Sequence, residues 1–182
     1  MEDGDAGRMD DPRSAWLRGL LSEHAAYVGR ALRYLGVPER DLPDACQEVF
    51  VVVARRHTDL RDDTAPRPWL YAIAVNVARN ARRTARRRPE VPTAELPETP
   101  SAPAQQQELE QRDRQALALR LLATISDEQR EVFVLHDVEE LTMAEITAGL
   151  EIPLKTGYSR LRLAREGLAR AAARARTRGE TP

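Results

Sequence analysis

One cysteine, three histidines and a 4% aromatic content are what this 182-residue chain has least of. With Cys46 alone, no internal disulfide can form and the paired ligand spacings of a structural zinc site cannot be assembled, so a reducing cytoplasm is its natural home. Too few aromatics are present to build the strands of a β-sandwich. The start, Met1-Glu2-Asp3-Gly4-Asp5, is acidic and no apolar run follows it, so neither a signal peptide nor a membrane span is read there. Residues 1–13 read as a disordered tail. The residues that would make an enzyme are equally thin. His24, His57 and His136 stand apart from one another, and Cys46 lies mid-helix with no positive helix end to activate it. Core or surface positions suit all four. There is no glycine-rich phosphate loop, metal-ligand pair or serine elbow, so the reading is of a non-enzyme without metal or cofactor.

What the chain does have is Leu, Ala, Arg and Glu, in proportions that favour helices. Hydrophobic residues at 42% and charged residues at 31% suit a globular protein, and the length suits two small modules. The formal net charge of -1 conceals a segregation of sign along the chain, which is what a nucleic-acid partner favours.

Apolar residues at Leu17, Leu20, Leu21, Ala25, Val28, Ala31, Leu32 and Leu35 recur at helical steps from Ser14 until Gly36 and Pro38 intervene. A second helix is expected behind an N-cap at Asp41, with Pro43 in its first turn, a core stripe of Ala45, Val49, Phe50 and Val53, and an end near His57. A polar loop over 59–65 then leads to Pro66-Arg67-Pro68 and a third helix from Trp69 to about Arg87. Residues 14–88 thus read as a three-helix module. Pro89, Pro92, Pro97, Pro100 and Pro103 among small polar residues mark 89–107 as an extended linker.

From Glu108 the helical period returns in Leu109, Ala116, Leu119, Leu122 and Ile125. Two capping boxes follow, Ser126-x-x-Gln129 and Thr142-x-x-Glu145. The second opens a short helix with Ala144, Ile146 and Leu150, and a break at Glu151-Ile152-Pro153 precedes a last helix from about Leu154 to Ala173. The expected architecture is therefore all-α: two helical modules, the second spanning 108–174 and followed by a basic tail over 175–182.

Thr142–Ala148, a short turn and the final helix have helix-turn-helix spacing, which would place the last helix in a DNA major groove. Lys155, Thr156, Tyr158, Ser159 and Arg162 would face DNA, Arg160 would sit at the edge, and Leu154, Leu161, Ala164 and Leu168 would pack inward. Arg165, Arg170, Arg174, Arg176 and Arg178, opposed only by Glu166, suit phosphates, or equally a solvated basic helix end. The third helix carries the other basic surface: Arg67, Arg79, Arg82, Arg83, Arg86, Arg87 and Arg88, with no acid between Arg67 and Pro89. Leu70, Ile73, Ala74, Val77 and Ala81 form its core stripe, while Trp69, Asn76, Asn80 and Arg83 line up on another face. Such a set suits unstacked bases, although Trp69 and Tyr71 could equally be core aromatics. On the second helix Asp44, Gln47 and Glu48 share one face, either solvated or offered to a partner.

Asp44-Ala45-Cys46-Gln47-Glu48-Val49-Phe50, then Arg67-Pro68-Trp69-Leu70-Tyr71-Ala72-Ile73-Ala74-Val75-Asn76, then the helix-turn-helix through Ser159-Arg160-Leu161, together resemble the sigma-70 family. More narrowly the chain resembles the extracytoplasmic-function sigma factors, which keep regions two and four joined by a linker. The resemblance runs from about Leu17 to Ala173. It implies that Asp44, Gln47 and Glu48 dock on the clamp helices of the largest subunit of core RNA polymerase. It also implies that the Arg61–Arg67 loop and the Trp69–Arg83 helix melt and read the −10 promoter element, with Arg67, Trp69, Asn76, Arg79, Asn80 and Arg83 as its surface. The final helix, through Lys155, Thr156, Tyr158, Ser159, Arg160, Arg162 and Arg165, would read the −35 element as duplex. The linker would pass near nascent RNA, and an anti-sigma factor is the implied antagonist.

The chain departs from the family pattern where Gly157 replaces a β-branched residue, Tyr158 a basic one and Glu151 a turn glycine. Gly157 would leave the helix locally soft or let its backbone approach DNA closely. The competing reading is a stand-alone helix-turn-helix regulator whose first module dimerises or senses; the Asn76–Arg88 basic helix argues against it.

Overall fold

The computed structural model describes residues 12–56, 66–87 and 103–179, and among them every regular element is helical. The expected loop over 59–65, Arg88, residues 89–102 of the expected linker and the tail as far as residue 11 lie outside the described residues.

Helix α1 (Pro12–Tyr34) starts inside the stretch read as a tail. Its buried line runs through Leu20, His24, Val28, Ala31, Leu32 and Leu35. Four-residue steps carry that line through His24 and leave Ala25, expected in the core, exposed. Gly36 ends the helix at φ 87°, where the Gly36 N–H reaches the Arg33 carbonyl at 3.0 Å and the Val37 N–H the Leu32 carbonyl at 3.1 Å. Glycine is needed for that left-handed cap. Asp41 does not cap α2: it is the last residue of a 3₁₀ turn, Glu39–Asp41, that runs directly into α2 (Leu42–Arg56). Leu42, Ala45, Val49 and Val53 are the buried face of α2. Helix α3 (Pro66–Arg87) begins three residues before the expected Trp69, because both prolines fit a first helical turn whose amides need no partner.

Helix α4 (Pro103–Leu122) likewise starts within the stretch expected as linker. Pro103 suits the first helical position, and the Ala-Gln-Gln-Gln that follows has good helix propensity. Helix α5 (Asp127–Phe133) continues into a π turn, Val134–Val138, closed by the Glu139 N–H on the Val134 carbonyl at 3.0 Å. Both capping boxes form: Gln129 N–H donates to Ser126 Oγ at 3.3 Å, and Glu145 N–H to Thr142 Oγ1 at 3.3 Å. The second opens α6 (Met143–Leu150), whose buried residues are Met143, Ile146 and Thr147, with Ala144 exposed rather than inward. Glu151 takes the left-handed turn at φ 55°, and α7 (Leu154–Thr177) extends past the expected end of its module.

α1, α2 and α3 pack mutually, and α5, α6 and α7 pack around Val132, Val134, Leu135, Ile146, Leu161 and Ala164. The two groups do not stand apart. α6 lies on α3, α4 touches both α7 and α1, and their apolar side chains join one buried cluster. That junction explains why Tyr71 and Val75, outside the expected stripe of α3, are 1% and 0% exposed.

Candidate nucleic-acid and partner interfaces

Packing of α2 through Ala45, Val49 and Val53 turns Asp44, Gln47 and Glu48 to solvent. Val51, which the sequence reading passed over, shares that side and is 38% exposed, an apolar residue beside an acid-amide row. Exposed valine next to Gln47 and Glu48 was readable from three- and four-residue spacing alone. Cys46, beside them, is half-buried, and burial pushes its thiol above its ordinary value, which agrees with an inert structural role.

On α3 the expected surface divides in two. Asn76, Asn80 and Arg83 are exposed, and the Arg83 guanidinium donates to Asn80 Oδ1 at 3.0 Å. Trp69 is half-buried and packs against the core, while Tyr71 is a core aromatic. Arg67 and Arg79 are engaged by the C-terminal helices. Arg79 donates through Nε and Nη2 to the two carboxylate oxygens of Glu131, at 2.9 and 2.6 Å, and Arg82 adds a third bond to Glu131 Oε1 at 2.9 Å. That pairing holds the Arg79 guanidinium above its ordinary value. Arg86 reaches Asp127 at 2.8 Å.

A second buried acid, Glu139, accepts from the Tyr71 hydroxyl at 2.5 Å and from Arg30 at 3.4 Å, and its carbonyl accepts from Arg67 at 3.2 Å. The Arg67 and Arg30 guanidinium groups lie over the Tyr27 ring at 4.6 and 4.9 Å from its centroid. Burial, and then the negative charge of Glu139, push the Tyr27 phenol well above its ordinary range. Neither acid was predicted as a functional residue. Their signal in the sequence is faint, because a Glu among Val and Leu on a short helix reads as a solvated position until the partner surface is known.

The first turns of α7 are open. Lys155, Tyr158, Ser159 and Arg162 are exposed, Thr156 and Arg160 are intermediate, and Tyr158 is 55% exposed. Leu154, expected inside, is 51% exposed, because the buried face of α7 runs through Gly157, Leu161 and Ala164 instead. Gly157 is buried and turned away from the open face. A Cβ there would stand 2.6 Å from both Met143 Sδ and Thr147 Cγ2. The close approach that needs glycine is thus to α6, not to DNA, and the helix continues unbroken through it. Arg162 pairs with Glu166 at 2.6 Å, and Arg165 with Asp137 at 2.6 Å, which ties the π turn to α7. The Arg165 guanidinium holds the Asp137 carboxyl below its ordinary value. Among the described residues no cluster of His, Cys, Asp and Glu could hold a metal ion, and no helix is long and apolar enough to cross a membrane.

Residues 20–88 match the family described as Sigma-70 region 2, and residues 115–168 match Sigma-70, region 4. The chain is 32% identical over 142 residues to the ECF RNA polymerase sigma-E factor of Escherichia coli K12, covering 72% of this chain and 74% of that protein. The chain belongs to the extracytoplasmic-function branch of the sigma-70 family. A second relative of this sigma factor, the RNA polymerase sigma factor NccH of Alcaligenes xylosoxydans, is 28% identical over 155 residues, 82% of each chain. Its fold is similar to that of CnrH in complex with the cytosolic domain of CnrY, with a TM-score of 0.66, 25% identity and 90% of each chain covered. It is also similar in fold to the sigma factor RpoE of Bartonella quintana, solved with the anti-sigma factor NepR, with a TM-score of 0.63, 16% identity, and 83% and 92% covered. A match to region 2 across α1–α3 favours an RNA polymerase sigma factor over the stand-alone regulator, and the chain is an RNA polymerase sigma factor.

Proposed function

We propose that this sigma factor directs promoter-specific initiation through three surfaces of distinct chemistry: Asp44, Gln47 and Glu48 toward core RNA polymerase, Arg67, Trp69, Asn76, Arg79, Asn80 and Arg83 toward the −10 element, and Lys155, Thr156, Tyr158, Ser159, Arg160, Arg162 and Arg165 toward the −35 element. The observation that carries the reading is the exposed basic-amide row Asn76, Asn80 and Arg83 on a helix of region 2, with the exposed start of α7 in region 4. Amide and guanidinium edges suit unpaired bases, and the N-terminal turns of α7 suit a major groove. Val51 joins the polymerase-facing row as an apolar anchor. The chain works as a cytoplasmic, non-enzymatic factor, and an anti-sigma factor, the kind of partner with which RpoE of Bartonella quintana was solved, is its antagonist.

Run-off transcription with purified core polymerase tests the reading directly, and a transcript that did not depend on this chain would overturn it. Glu48→Lys is expected to lower core affinity by more than tenfold, because a charge turned to the wrong sign at an interface costs about 1.4 kcal/mol or more, while leaving the melting temperature unchanged. Unchanged core affinity in that variant would remove Glu48 from the docking row.

A further inference from the structure

Leu154 and Tyr158 are 51% and 55% exposed, among the most open large apolar side chains of the described residues, and both stand in the first five residues of α7. Four residues apart, they lie one above the other on the same side of the helix, and a further step of four brings Arg162 into line. Lys155 and Ser159, each one residue further on, are exposed beside them. The row is fixed from behind. Gly157, Leu161 and Ala164 are buried, and a Cβ on Gly157 would stand 2.6 Å from Met143 Sδ and Thr147 Cγ2, so α7 cannot roll on α6 to bring Leu154 or Tyr158 inside. Single apolar residues scattered on a surface need no account, but two in register on an open helix start do.

The neighbouring cations narrow the partner. Lys155 suits a phosphate oxygen, and Arg162, although paired with Glu166 at 2.6 Å, keeps further N–H donors for another. Leu154 and Tyr158 themselves carry neither the forked donor pair that matches guanine nor the amide that matches adenine. In a major groove the apolar base feature is the C5 methyl of thymine.

We infer that Leu154 and Tyr158 form an apolar clip for thymine C5 methyl groups of the −35 duplex, with Lys155 and Arg162 on the flanking phosphates. This rests on the assignment of α7 to the −35 element made above, and it adds Leu154 to that surface and thymine to its target. Four residues rise about 6 Å along the helix, against about 3.4 Å between successive base pairs, so the clip covers about two pairs and not the whole element.

Holoenzyme assembled from the full chain and core polymerase tests it, first by selecting from a duplex library randomised over both promoter elements. The recovered duplex is then remade with deoxyuridine for thymidine, one −35 position at a time, which removes the C5 methyl and nothing else. Facing the clip, each replacement is expected to weaken binding about fourfold, the loss for one buried methyl group. Leu154→Ala/Tyr158→Ala is expected to bring the ratio of thymidine to deoxyuridine affinity to about one at an unchanged urea midpoint. Tyr158→Phe keeps the ring and is expected to keep the ratio. A recovered −35 element without thymine, or one indifferent to every deoxyuridine, overturns the clip while leaving α7 as the reader of −35 DNA. So does a double variant that still tells the two bases apart, which would give the exposed pair to a protein partner instead. A library in which no −35 sequence is enriched sinks the assignment of α7 and the clip with it.

Discussion

Gly157 shows how one position can be read correctly as unusual and wrongly as to cause. Its backbone does approach something closely, but the neighbours are Met143 and Thr147 of α6, and the large flexible Met143 fills the space that a side chain on α7 would take in a more ordinary pair. Gly157→Val is therefore expected to overpack the crossing and cost about 2 kcal/mol, read as a lower urea midpoint. A stability equal to that of the parent would show that α6 and α7 are not so closely crossed. Glu151 carries the opposite lesson, since a non-glycine residue at φ 55° holds the turn that a glycine would adopt freely. Glu151→Gly should stabilise the chain by about 0.5–1 kcal/mol, after allowance for the greater freedom of glycine in the unfolded state. A fall in melting temperature would count against that view of the turn.

At the scale of elements, the capping boxes were the most transferable signals. Ser126 with Gln129 and Thr142 with Glu145 each satisfy two amides within four residues, so neither depends on how the modules are arranged. Thr142→Ala should cost about 1 kcal/mol in urea denaturation. The prolines were harder to read: Pro66 and Pro103 both lie inside helices that spacing had placed later, because proline is as acceptable in a first turn as in a loop.

Between elements, the carboxyls of Asp137, Glu128 and Glu145 are all held below their ordinary values, by Arg165, by the Glu128 backbone amide and by the Thr142 hydroxyl respectively. A depressed carboxyl stabilises the fold above its unfolded value and ceases to do so as pH falls through its folded value. Region 4 should therefore lose stability below about pH 4. Melting followed by circular dichroism against pH would check this, with Asp137→Asn expected to flatten part of the acid loss.

For the whole molecule, the decisive feature is that the two modules share a junction of buried acids and arginines. Helical spacing identified Leu70, Ile73, Ala74 and Val77 as the core stripe of α3, and all four are buried, because three- and four-residue steps carry them onto one face of the helix. It left Tyr71 open between core and DNA, and did not place Arg82 or Glu131 in the interior, because their burial depends on a helix more than forty residues away in the chain. Arg79 could be read as basic, but not as already paired.

The amino-acid sequence by itself determined the helical class, the α2 face of Asp44, Gln47 and Glu48, the capped starts of α5 and α6, and the membership of the sigma-70 family, since each rests on local period, local hydrogen bonds or residue pattern. Only the tertiary structure decided that Gly157 faces α6, that Leu154 is exposed and that Glu131 and Glu139 close on region 2. Those outcomes depend on which surfaces meet, and a buried charge is stable only where the other chain segment brings its counter-charge.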